Sequence, residues 1–295
     1  MLTGKPLVDH SQDTPATDVD PDYVPYKKQK LSYANTFTNP FKVGVIRVLE
    51  WCTGKIRLLR LIRKFESEGV VSGQPFFTRA LQLMQIDVMT PEAQIAKLPA
   101  TGPMIVVANH PHGLVDGLVL AELIGKVRQD YKILTRSLLT GILEIEKFML
   151  PVAFPHEEGS QRLNINMRKE AMAHLKDGGV IVLFPAGVVA SSKTMFGPAI
   201  EAEWNPFTAK MIQRSGATVL PIFFPGCNTR TYLIANRISA TIRQGLLLHE
   251  VVHALKKPQS PIIGEPILPA EMDEWSKNPR GFMAWLRDKT LALKP

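Results

Sequence analysis

From about residue 98 onward, short apolar runs closed by Pro, Gly or Asn alternate with stretches of helical periodicity, and this alternation constrains the chain more than any other feature. Strands are expected at 104–109, 132–135, 180–185, 218–224 and 262–266, and helices near 113–127, 137–148, 165–177, 206–215, 242–256 and 280–292. Strands separated by helices need crossover connections, so the expected fold is α/β, a central mostly parallel or mixed sheet flanked by helices. No apolar run reaches the ~18 uncharged residues of a spanning helix. The two cysteines, Cys52 and Cys227, are too few for a disulfide framework in 295 residues, which favours a reducing compartment. The first residues show no charged-then-apolar secretory pattern.

Before the alternation begins, the chain changes character twice. Residues 1–40 are rich in Asp, Pro, Thr and Ser and are expected to form a tail or wrapping arm without a core. Over 41–65, Val45, Val48, Leu49, Cys52, Ile56, Leu59 and Ile62 recur at helical steps with Lys and Arg between them, which predicts an amphipathic helix, interrupted near Thr53-Gly54. The net charge of +8 is concentrated here, with eleven Lys and Arg against three Glu between 23 and 80. Such a helix either packs on a core with its basic side in water or lies in a membrane interface, where apolar burial and attraction to anionic lipids add. Three regions follow: 1–40, an amphipathic helical segment over 41–97, and a main domain over 98–295.

The segment 104–116 runs from a strand into a helix with Asn109, His110, Pro111, His112, Gly113 and Asp116 at the junction. Pro111 keeps His110 out of helical geometry. Six positions separate His110 from Asp116, about 600° of helix, so they meet only through a kink near Gly113. His112 and Asp116 stand at i,i+4 spacing and would meet on a regular helix. An imidazole beside a carboxylate is what a general base needs to take a proton from a hydroxyl. A capping or structural histidine accounts for the same letters, and the residues alone leave both readings open.

Two further strands end in polar or turn-forming groups, Phe184-Pro185-Ala186-Gly187 and the run 221–228 that contains Gly226 and Asn228. The first is a plausible source of backbone N–H groups for a phosphate or oxyanion. Sites in α/β sheets gather outside the carboxyl ends of strands, so the three strand ends form one candidate site.

In order, Asn-His-Pro-x-Gly-x-x-Asp at 109–116, Arg-x-Asn at 162–164, Phe-Pro-Ala-Gly at 184–187, and Pro221, Gly226 and Asn228 make the chain resemble the lysophospholipid acyltransferase superfamily. The closer likeness is to a bacterial branch that includes acyltransferases of ornithine-lipid synthesis. The resemblance covers roughly 98–268 and makes 98–295 an acyltransferase domain. It implies that Asp116 orients His110 and that His110 deprotonates the hydroxyl of a lysolipid, of lysophospholipid or lyso-ornithine type. That oxygen would attack the thioester of an acyl carrier protein or coenzyme A adduct. It also implies a substrate-binding set of Asn109, His112, Gly113, Arg162, Asn164, Phe184, Pro185, Ala186, Gly187, Gly226 and Asn228, without metal or cofactor. Arg162 and the 184–187 loop would hold an anionic head group, and the helix at 41–65 would dock the enzyme peripherally on the cytoplasmic face of a membrane. Two positions depart from the family: Val188 stands where it usually has Glu, and Cys227 where a related chain has Arg. A Val188 buried beside the head-group loop would leave polar neighbours without a partner.

Other classes remain in view. His249-Glu250-Val251-Val252-His253 matches the His-Glu-x-x-His pattern of zinc metallohydrolases, with Glu265, Glu271 or Glu274 as a third ligand. A lipid-binding relative without catalysis is the third reading, suggested by Val188 and Cys227. Nucleic acid is not an expected partner, since no recognition module accompanies the basic segment.

Overall fold

The computed structural model describes residues 25–135, 142–153 and 159–295. Three of its helices begin at an Asn-Pro pair. In α1 (Pro40–Glu50) Asn39 accepts from the N–H of Lys42, in α7 (Pro206–Ser215) Asn205 accepts from Phe207, and in α12 (Pro279–Leu291) Asn278 accepts from Gly281. The side chain satisfies one orphan donor while Pro fills the first helical position, where no N–H is needed.

Between these lie, in chain order, α2 (Ile56–Ser67), α3 (Pro75–Met84), α4 (Glu92–Ile95), β1 (Met104–Ala108), α5 (Leu114–Gly125), β2 (Tyr131–Thr135), β3 (Met149–Pro151), α6 (Ser160–Lys176), β4 (Val180–Leu183), β5 (Ser191–Ser192) and β6 (Ala199–Ile200). After α7 come β7 (Thr218–Phe223), α8 (Arg230–Ile238), α9 (Ala240–Gly245), α10 (Leu247–Ala254), β8 (Ile262–Ile263) and α11 (Pro269–Met272). The main sheet has the order β3-β2-β4-β1-β7-β8, all parallel except the antiparallel β7–β8 edge. A mixed sheet with helices on both faces is the expected architecture, and β1 lies at its centre.

The two-residue period of the strands divides the core. Met104, Val106 and Ala108 point to the face covered by α3 and α5, whereas Ile105 and Val107 point to the face covered by α6, α7 and α12. The helix α5 is apolar nearly all round and buried accordingly. It carries Asp116 into the interior.

The expected helix over 242–256 is two helices, α9 and α10, joined at Leu246. Gly245 is packed so closely on Leu49 that a β-carbon there would lie 2.8 Å from that side chain. Of the expected helix over 137–148, residues 137–141 fall outside the described residues and Leu143–Phe148 is a 3₁₀ helix. The interruption foreseen at Thr53-Gly54 is a π-turn, Trp51–Lys55, through which α1 and α2 run on as one rod. Part of the N-terminal arm joins the core. Leu31 and Ala34 are buried, Ser32 Oγ donates to Glu50 at 2.6 Å, and the Tyr33 N–H donates to the same carboxylate at 2.7 Å. No helix among the described residues is long and apolar enough to cross a membrane.

Candidate active site

At the carboxyl end of β1 the chain turns into α5 through Gly113, whose φ of +78° suits glycine. The turn folds three residues back onto one carboxylate. Asp116 Oδ2 accepts from the N–H groups of His112 (2.9 Å) and Gly113 (3.1 Å) and lies 3.0 Å from His110 Nδ1. Asp116 Oδ1 lies 3.0 Å from His112 Nδ1. His110 and His112 therefore share Asp116, and the kink near Gly113 is what lets a residue six positions away reach it.

Asp116 is fully buried. Burial pushes its carboxyl up, but the bonds from His110 and His112 outweigh it and hold the group below the usual carboxylate range. A carboxylate accepts only, so both rings present Nδ1–H to it, and when neutral each carries its lone pair on Nε2. For His112, burial pulls the pKa down, yet the bond and charge of Asp116 and the charge of Glu250 leave it raised.

The two imidazoles differ in what they face. His110 lines a cleft of about 550 Å³, with its ring stacked on Phe184 at 3.9 Å between centroids. His112 does not line the cleft and instead stands against Gly226, where φ is +96° and a β-carbon would lie 2.8 Å from Nε2. The main chain of His110 is held on both sides. Its N–H donates to buried Glu201 Oε2 at 3.1 Å, and its carbonyl accepts from Ala190 at 2.8 Å. Glu201 also accepts from the Trp204 indole, and its carbonyl accepts from Arg287 on α12. Burial raises the Glu201 carboxyl above the ordinary range.

Of the other expected site residues, Gly113, Asn164, Phe184, Pro185 and Gly187 line the cleft, whereas Asn109, Arg162, Ala186, Gly226 and Asn228 do not. Two asparagines act as clips at strand ends. Asn109 exchanges a pair of bonds with the backbone of Phe224, and Asn164 exchanges a pair with Ala153. The Gly187 N–H closes its own turn on the Phe184 carbonyl at 2.9 Å, so that donor is already engaged. Asn228 is buried, and its Nδ2 has no partner among the described residues.

Cleft residues missing from the expected set include Arg168, Phe207, Tyr33, Tyr232 and Arg243. For Arg168 a signal existed. It stands four residues after Asn164 and shares its helix face, whereas Arg162, two residues before, lies about 200° away. The guanidinium of Arg168 sits 4.3 Å over the Phe207 ring. Val188 is a correction of another kind: it is 44% exposed at the cleft mouth, so no buried polar neighbour is left without a partner by its side chain.

The His-Glu-x-x-His segment is arranged for support. Glu250 turns inward and accepts from the N–H and hydroxyl of Thr229 at 2.7 and 2.6 Å, fixing the loop after β7. Lys257 Nζ lies 2.6 Å from His253 Nε2, an ammonium where a zinc reading needs a metal ion. Among the described residues no three His, Cys, Asp or Glu side chains converge as a metal site.

An acyltransferase family model matches residues 82–260, which enclose both histidines, Asp116 and all three strand ends. Two lyso-glycine lipid O-acyltransferases are similar to the chain. The one from Phocaeicola vulgatus is 27% identical over 207 residues, and the one from Bacteroides thetaiotaomicron is 28% identical over 203. These alignments cover 68% and 66% of this chain and 71% of each relative. The 1-acyl-sn-glycerophosphate acyltransferase PlsC of Thermotoga maritima superposes with a TM-score of 0.49 at 16% identity, over 75% of this chain and 76% of that one.

Proposed function

Because the chain belongs to the acyltransferase family, within the lysophospholipid acyltransferase superfamily that its motifs resemble, we propose that it moves an acyl group from a thioester to a lysolipid hydroxyl with His110 as general base. The observation that carries this reading is the His110 ring, anchored through Nδ1 to buried Asp116 and lining the cleft.

The acceptor hydroxyl gives its proton to His110 Nε2 as its oxygen attacks the thioester carbonyl. The C–S bond breaks as the tetrahedral intermediate collapses, the ester forms, and the imidazolium returns the proton to the leaving thiolate. Asp116 holds the imidazole in the tautomer that leaves Nε2 basic and stabilises its cation. A positioned base of this kind supplies roughly 10² to 10⁴ in rate, and the remainder comes from holding the two substrates together.

The similarity to lyso-glycine lipid O-acyltransferases supports a lysolipid with an amino-acid head group as acceptor. Acyl carrier protein and coenzyme A both present the thioester this chemistry uses. The exposed Phe41, Val48, Trp51 and Ile56, set among Lys and Arg on the α1–α2 rod, support peripheral seating on a lipid surface.

Purified protein given a labelled acyl thioester on either carrier, with a panel of lysolipids, tests the proposal by the ester formed. Loss of the thioester to water alone, with no acylated lipid, would overturn it.

A further inference from the structure

The cleft has a marked charge asymmetry. Among its described lining residues there is no carboxylate and no lysine, while two guanidiniums, Arg168 and Arg243, stand in its walls. Neither forms an ion pair among the described residues. A cation in the wall of a cleft with no counter-ion beside it favours an anionic occupant.

The two arginines are not equivalent. Arg168 is exposed and lies flat on Phe207, a perch that uses the face of the guanidinium. Arg243 is half-buried on α9 and donates one N–H, from Nη1, to Asn236 Oδ1 at 2.9 Å, which aims the fork and leaves other donors for a ligand. Beside it in the cleft wall are Tyr232, Gln244 and Tyr33. Tyr232 stands on α8, which packs against α9. Burial pushes its hydroxyl up to about 12, and the Arg243 charge pulls against that rise. Tyr33 arrives from the N-terminal arm, held there by Glu50. The cleft that His110 lines therefore also holds a cation oriented by one hydrogen bond, with phenol and amide side chains on α9 and on the elements packed against it.

We infer that Arg243 determines acceptor specificity by receiving the anionic head group of the lysolipid whose hydroxyl meets His110, and that this anion is a carboxylate. The inference rests on the proposed function and adds to it the group that selects the substrate. A glycine head joined through its nitrogen keeps its carboxylate free, and a guanidinium fork matches two carboxylate oxygens. A lysophospholipid would bring a phosphate to the same corner, and the test separates the two.

The full-length protein is assayed with one acyl thioester donor and three acceptors: an N-(3-hydroxyacyl)glycine, its neutral glycinamide analogue, and lysophosphatidate. The wild type should prefer the acid to the amide, and Arg243→Gln should reduce that preference roughly tenfold or more through the acceptor KM, with the donor KM unmoved. Arg243→Lys keeps the charge without the fork and should reduce it about threefold; it decides the matter if the Gln variant does not fold. An unchanged acid-to-amide ratio in the variants overturns the inference, as does a loss confined to the donor KM. A wild-type preference for lysophosphatidate that Arg243→Gln erases overturns the carboxylate assignment. If the wild type acylates none of the three but does acylate another lysolipid of the panel, the carboxylate assignment is overturned. If it acylates no lysolipid at all, the proposed function itself fails, and the assay shows either before any variant is compared.

Discussion

His112 is packed against Gly226 so tightly that one added carbon at position 226 would fall 2.8 Å from its Nε2. That nitrogen therefore stands close to the Gly226 backbone, while the neighbouring imidazole lines the cleft. His110→Ala is expected to lower kcat/KM for acyl transfer by roughly 10² to 10⁴. His112→Ala should cost less than about tenfold in rate and ~1 to 3 kcal/mol in stability, from the bond lost at Asp116 Oδ1. Steady-state kinetics on both variants check this, and the reverse ranking would sink the assignment of the base.

Asp116→Asn removes the counter-charge while nearly preserving shape. An amide oxygen at the Oδ2 position still accepts from His112 and Gly113, but the amide nitrogen then meets His112 Nδ1–H and forces that ring to change tautomer. Transfer should fall roughly 10²-fold or more with a native far-ultraviolet dichroism spectrum. Retention of near-normal kcat would show that His110 needs no anion behind it.

Glu201 reaches the site through the backbone. Both of its carboxylate oxygens accept, from His110 N–H and from Trp204, and Gln can replace only one of them. Glu201→Gln should lower kcat several-fold with acceptor KM little changed and cost ~1 to 3 kcal/mol in denaturant unfolding. Glu201→Asp, shorter but fully accepting, should recover part of the rate. A variant that shifts KM alone would instead place Glu201 in substrate binding.

Proton linkage gives opposite signs for the two members of the Asp116–His112 pair. The Asp116 carboxyl is lowered in the fold, so its contribution is present above the ordinary carboxylate value and is lost as pH falls through the folded one. His112 is raised, so its contribution is full below an unfolded pKa of ~6.5 and is lost as pH rises through its folded value. The stability gap between wild type and His112→Ala should be wider at mildly acidic pH than at alkaline pH. Urea unfolding across that range measures it, and a gap that widens with pH would contradict the assigned sign.

The proposed seating on lipid rests on side chains the fold leaves outside. Phe41 is 78% exposed at the start of α1, and Trp51 is 47% exposed where the π-turn begins. Replacing either with Ser should weaken binding to anionic vesicles by roughly 10- to 100-fold, as expected for ~1.5 to 3 kcal/mol of apolar burial. Added salt should remove part of the remainder. Sedimentation with vesicles reads both effects, and unchanged binding of the double variant would exclude the rod as the docking element.

Much of this arrangement is written locally. Asn-Pro pairs announce three helices because cap and first residue act within one turn, and 206–215 coincides with α7. The His110–Asp116 contact was conditionally legible, since it needed only a kink at Gly113. The face Arg168 shares with Asn164 is also present in the letters, whereas the Arg-x-Asn motif points to Arg162, which does not line the cleft. Tyr33 and Arg243 were out of reach of such reasoning. The first enters the cleft because Glu50 binds an arm whose composition suggests no core, and the second because Gly245 seats α9 on α1. Both depend on contacts between segments distant in sequence, which local periodicity does not encode.

The π-turn at Trp51–Lys55 sets the rotational phase of everything before α3. A π-turn advances only about 80° per residue against about 100° in a regular helix. Deleting one residue there to restore α-helical winding would therefore leave the phase nearly unchanged, whereas winding all five as regular α-helix would rotate α2 by roughly 90° relative to α1. Leu58 and Leu59 would leave the core and the neighbouring arginines would turn towards it. Gly54 adds a second limit, because a β-carbon there would lie 2.8 Å from the Leu248 carbonyl oxygen on α10. Residue count and winding are consequently one joint specification, and a graft of the rod onto another acyltransferase body would keep its phase with five residues in the wide turn or four in a regular helix, but not with five wound regularly.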